Sequence, residues 1–187
     1  RKIAKVSHTT GRGYLSTAYS SIELLLALYC NGIMKYDRNN PEWEERDRFI
    51  LSKGHSGLAL YMTLAEIGVI SDKVFEDFSG ADSEFGLHPV YDLKKGIEMS
   101  SGSLGHGLSF AVGHAYAAKL DKKDYRVYVL LGDGEMQEGS NWEALMLVNA
   151  LKLDNLVVII DRNNRQISDK VENIVPLGEL KLKLESF

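Results

Sequence analysis

Two short apolar runs that each stop at a polar cluster constrain this chain most. Residues 125–131 (Tyr-Arg-Val-Tyr-Val-Leu-Leu) run into Gly132-Asp133-Gly134-Glu135, and residues 156–160 (Leu-Val-Val-Ile-Ile) run towards Asn163-Asn164. Each run is short and rich in branched residues, as a strand buried on both faces of a parallel sheet must be. Between them, residues 140–153 place Trp142, Leu145, Met146, Val148 and Leu151 at helical spacing. The unit is strand, helix, strand. Both polar clusters therefore fall at carboxyl ends of strands, where open parallel sheets bind ligands.

The residue types at those ends point to a chemistry. Asp133 offers an anionic oxygen and Asn163 a neutral amide oxygen. Such hard donors suit Mg2+ or Ca2+ shared with phosphate oxygens, which complete the shell of an ion holding few protein ligands. Gly132 and Gly134 let a diphosphate come close to the backbone.

Elsewhere the sequence supplies the other layers. The first ten residues read as a helix, followed by a loop at 9–14. Ser20-Ser21 reads as the cap of a helix running to Asn31-Gly32. Residues 49–52 form a short apolar strand ending in the turn Lys53-Gly54-His55-Ser56-Gly57. Helices follow at 58–67 and 71–78, then an irregular stretch to 101, then an Ala/Gly-rich helix at 104–120. Three strands are few for a doubly wound sheet. The reading is one α/β domain over residues 1–187, a mostly parallel sheet flanked by helices, incomplete at its C-terminus.

Composition closes off other classes. With 187 residues and 44% apolar content, the chain can build a core. A formal net charge of −4 with scattered Lys and Arg leaves no basic patch for nucleic acid. No apolar run reaches a membrane span, and no leader peptide is evident, so the cytoplasm is the expected compartment. The single cysteine, Cys30, lies in an apolar helix and reads as a buried thiol rather than a nucleophile. Lys181 and Lys183, alternating with Leu180, Leu182 and Leu184, read as a solvated helix face.

Several segments together resemble the N-terminal, diphosphate-binding domain of the transketolase family. Residues 47–55, Asp-Arg-Phe-Ile-Leu-Ser-Lys-Gly-His, resemble its DRF-x-LS-x-GH. His88-Pro89 followed by Ser101-Gly102-Ser103-Leu104-Gly105-His106-Gly107 is similar to its HP and TG-x-LGQG. Residues 132–139 are similar to GDG-x-x-x-EG. The order of these motifs, with no second domain, resembles the split form in which the pyrimidine-binding half is a separate polypeptide.

The resemblance implies a thiamine-diphosphate fold and a set of roles. Asp133, Asn163 and the backbone carbonyl of Arg165 would hold Mg2+ (or Ca2+). Gly132, Gly134 and His55 would line the diphosphate, and Gly102, Ser103 and Leu104 the aminopyrimidine and thiazolium. His55, His88 and Glu138 would be catalytic, with Glu138 in a carboxylate network across a dimer interface. His88 would also meet the substrate, as would Thr10, which stands where the family has the histidine of SGHPGG. His106 replaces the glutamine of LGQG.

The implied activity is transfer of a two-carbon ketol unit from a ketose or ketose phosphate to an aldose, by a homodimer of this chain joined to two pyrimidine-domain partners. Bland readings stand beside these roles. His55 could serve only its turn, His88 only its loop, and Glu138 only the positive end of a helix. A deoxyxylulose-phosphate synthase relative and a non-catalytic subunit that kept the fold remain alternatives.

Overall fold

Alternation of side chains along the strands organises the layers. In the computed structural model, which describes residues 1–76 and 78–187, the elements run α1 (Lys2–Thr10), α2 (Leu15–Cys30), β1 (Arg48–Leu51), α3 (Gly57–Glu66), α4 (Gly107–Leu120), β2 (Val127–Gly132), α5 (Gly139–Ala150), β3 (Leu156–Asp161), α6 (Val171–Ile174) and α7 (Leu180–Leu184). The strands are parallel in the order β1-β2-β3, with Leu51 beside Leu130 and Gly132 beside Asp161. Successive residues point to opposite faces. Phe49, Leu51, Tyr128 and Leu130 therefore join the core under α1, α2 and α3, while Ile50, Val127, Val129 and Leu131 join the one under α4 and α5. Central β2 is buried throughout, which explains its uninterrupted apolar run. Truncating Leu130, fully buried between layers, would cost about 2–5 kcal/mol.

Four local expectations need correction. Helix α2 starts at Leu15, so Ser20 and Ser21 are interior and not caps. They are tolerated because both hydroxyls return to the Thr17 carbonyl, at 3.0 and 2.9 Å. Cys30 is exposed, because the buried stripe of α2 runs through Ala18, Leu25 and Leu28 and position 30 falls off it. Helix α4 starts at Gly107, not 104, since Gly105 sits at φ 84 and interrupts any earlier turn. The helix expected over 71–78 is a 3-10 turn at Asp72–Phe75 capped by the Ser71 hydroxyl; its position 77 lies outside the described residues.

The parallel register sets the carboxyl ends of all three strands along one edge, and the turns at 52–57, 133–138 and 162–165 meet there. Among the described residues no helix is long and apolar enough to cross a membrane.

Candidate functional site

Asp133 occupies the first position after β2 and is 2% exposed. It opens a 3-10 turn (Gly134–Gln137), its Oδ1 accepting from the Gly134 amide at 2.9 Å. Its Oδ2 accepts from the Asn164 amide at 2.6 Å, so one carboxylate joins the turns after β2 and β3. Asn164 adopts φ 58, which turns its amide inward. The neighbouring Asn163 accepts from the Arg165 amide at 2.9 Å through Oδ1, and its Nδ2 faces the Ser20 hydroxyl at 3.5 Å. Arg165 is held by a bridge to Lys170.

The buried carboxylates that are paired with cations among the described residues are Glu98, with Arg46, and Asp161, with Lys53. Asp133 has no such partner among them. A buried carboxylate bonded only to backbone amides, next to an amide oxygen, is a fitting donor set for a hard cation. Gly134 is pressed against Gln166; an added Cβ would stand 2.7 Å from Gln166 Cγ. Gln166 and Gln137 exchange reciprocal amide hydrogen bonds of 3.0 Å, bracing this wall.

The turn after β1 supplies a second group. Lys53, 1% exposed, reaches over to Asp161 at 2.5 Å, and the same Oδ2 accepts from the Ser20 hydroxyl at 2.6 Å. His55 is half-buried, and desolvation, helped by the Lys53 ammonium and then by His88, lowers its pKa from 6.5 to about 4. It is therefore neutral at physiological pH. The Tyr14 ring lies 6.3 Å from the His55 ring and 6.1 Å from that of His88.

Gly102 packs between these histidines. It sits at φ 143, and a Cβ there would lie 3.3 Å from His88 Cγ, while a Cβ on Gly54 would lie 2.6 Å from the Gly102 amide. Ser103 is exposed and Leu104 half-buried in the same loop. Glu138 is exposed at the start of α5. Its Cβ crowds Gly105, which would bring a Cβ to within 2.6 Å.

The structure thus brings His55, His88 and Gly102 together on one side, and Gly132, Asp133, Gly134 and Asn163 on the other. It does not bring the Thr10 hydroxyl to either. That hydroxyl donates to the Val6 carbonyl at 2.8 Å and accepts from the Arg12 amide at 3.2 Å, closing α1. His106 precedes α4 as its N-terminal cap residue without a capping side-chain bond.

Three participants escape a reading of motifs. Glu135, 2% exposed, accepts from the Ser52 hydroxyl, from Gly105 N at 3.0 Å and from Gly132 N at 3.0 Å. It holds three loops in register. Its signal was only an acid inside a glycine turn, which favours solvent as readily. Lys53 and Asp161 are each a charge directly beside an apolar run, a legible hint of a strand-end pair. Tyr14 has no sequence signal, because its position follows from the loop path.

Residues 5–178 match the family described as transketolase, thiamine diphosphate binding domain. One chain of a split apulose-4-phosphate transketolase from Phocaeicola vulgatus is 43% identical over 187 residues, covering 100% of this chain and 66% of that protein. A 6-deoxy-6-sulfo-D-fructose transketolase subunit from a Clostridium species is 40% identical over 177 residues, covering 95% of this chain and 64% of that protein. A solved transketolase from Leishmania mexicana superposes with a TM-score of 0.86 at 28% identity, covering 98% of this chain and 29% of that one. The chain spans about two thirds of the length of the first two relatives.

Proposed function

The chain belongs to the transketolase family, and on that premise we propose that it is the diphosphate-anchoring subunit of a ketol transferase. In this reading residues 1–187 form one domain that works only with a partner carrying the pyrimidine-binding domain. The observation that carries it is the buried, cation-free Asp133 joined to the Asn163 segment across two strand ends.

Asp133 and Asn163 would hold Mg2+ (or Ca2+) through side-chain oxygens and Arg165 through its carbonyl. The amide of Gly134, turned here to Asp133 Oδ1, is the donor assigned to the diphosphate, with Gly132 beneath it. Gly102, Ser103 and Leu104 would line the cofactor rings. Thiamine diphosphate, when bound, supplies the nucleophilic carbon that makes a two-carbon transfer from a ketose to an aldose possible.

This chain's own work is orientation and proton handling. His55, neutral because it is desolvated, can donate or accept a hydrogen bond beside the diphosphate without adding charge. His88, across the Tyr14 ring, stands where a substrate hydroxyl or carbonyl would be oriented. Glu138, exposed at the start of α5, is assigned to a carboxylate network at a boundary between subunits. The assembly in this reading is a homodimer of this chain extended by two partner subunits. Light scattering of the purified mixture should give the mass of a heterotetramer.

The functional test is transfer from a panel of ketoses to an aldose acceptor, with thiamine diphosphate and Mg2+. The chain alone should be inactive and the complex with its partner active. A complex that binds the cofactor but transfers nothing from any ketose would favour the non-catalytic alternative.

A further inference from the structure

We infer that Tyr14 is a donor-specificity residue: its ring walls the substrate side of the His55–His88 pair and its phenol reads a neutral hydroxyl of the ketose. This rests on the functional reading above and adds a residue to it.

Tyr14 is 41% exposed, yet its ring is edge-on to His55 (interplanar angle 89°) and tilted against His88 (50°). Its position is imposed from behind. Gly13 adopts φ 93 and packs so closely that a Cβ would meet Leu58 Cδ2 at 3.0 Å and Phe78 Cε1 at 3.2 Å. The loop is thereby pressed onto α3, and Tyr14 is carried over the two histidines at the start of α2. Among the described residues the phenol oxygen has no hydrogen-bond partner.

Thr10, which the resemblance sets against the substrate, has its only proton committed to the Val6 carbonyl. The polar group that this loop leaves beside the histidines is therefore the Tyr14 phenol. An aromatic face packs against the C–H face of a sugar, and a phenol donates and accepts one neutral hydrogen bond. Unlike an imidazole, it cannot become cationic near neutral pH. The wall accordingly favours hydroxyl-bearing carbons of the ketose here and gives no attraction to an anionic group.

The test uses the complex of this chain with its partner, thiamine diphosphate and Mg2+. Steady-state kinetics are measured with xylulose, xylulose 5-phosphate and fructose 6-phosphate as donors. Tyr14→Phe should raise KM for the best donor about 3–10-fold, the worth of one neutral hydrogen bond, with kcat within about twofold. Tyr14→Ala should lower kcat/KM by about 10–100-fold and change the donor ranking. Cofactor affinity by calorimetry should stay at the wild-type value in both. Should Tyr14→Ala fail to fold, the KM and kcat of Tyr14→Phe decide alone. Unchanged KM and ranking would overturn the inference, as would cofactor affinity falling in step with kcat/KM. A wild-type complex that binds cofactor but uses none of the three donors overturns the functional reading, and this inference with it.

Discussion

Lys53 and Asp161 form a buried ion pair, Nζ to Oδ2 2.5 Å, that ties the end of β1 to the end of β3 across the central strand. The pair sits at the one edge of the sheet where the turns must be held without help from the hydrogen-bond ladder. Asp161 precedes the Asn163 segment by a single residue, and Lys53 precedes His55 by one. A single contact therefore positions both halves of the site.

Breaking that pair should be costly. Lys53→Met leaves Asp161 as a buried charge with the Ser20 hydroxyl as its remaining side-chain donor, and should destabilise the chain by about 3–5 kcal/mol. The double variant Lys53→Met/Asp161→Leu should recover part of that loss. Thermal melts followed by circular dichroism check both. A double variant no better than the single would mean that packing of the lysine stem, not charge, is what matters.

Glu135 should behave as a structural acid. Glu135→Ala strands the Ser52 hydroxyl and the amides of Gly105 and Gly132, costing about 3 kcal/mol or more. Urea unfolding at neutral pH measures it. A midpoint equal to that of the wild type would show that water replaces the carboxylate without loss.

Acid should weaken the fold through His55. The unfolded chain takes up this proton below about pH 6.5, whereas the native imidazole stays neutral down to about 4. The contribution is complete above pH 6.5 and is lost as pH falls towards 4. His114, whose pKa burial also lowers, acts in the same direction. Urea midpoints taken from pH 7 to 4.5 should therefore fall more steeply in the wild type than in His55→Asn. Parallel curves would show that His55 is already solvated.

The sheet was legible because β2 and β3 must be apolar on both faces, a pattern that survives in a single sequence. The strand-end ligands were legible because glycine, aspartate and asparagine at those points suit few other purposes. Helix α2 was misread at its start because Ser20 and Ser21 carry the signature of a cap. They are instead interior, returning to Thr17 and, for Ser20, reaching Asp161. Glu135 and Tyr14 were not legible, since each owes its role to loops brought together from distant sequence. Nothing local distinguishes a buried acid that accepts three donors from one that faces water.

The anchoring role of Asp133 is the claim on which the rest depends. It is tested by calorimetric titration of thiamine diphosphate into the partner-reconstituted complex in Mg2+. The wild type should bind only when the metal is present, and chelation should abolish binding. Asp133→Ala should bind at least about 100-fold more weakly and Asn163→Ala about tenfold, as loss of an anionic and of a neutral metal ligand implies. Wild-type affinity in Asp133→Ala, with the complex intact, would contradict the account.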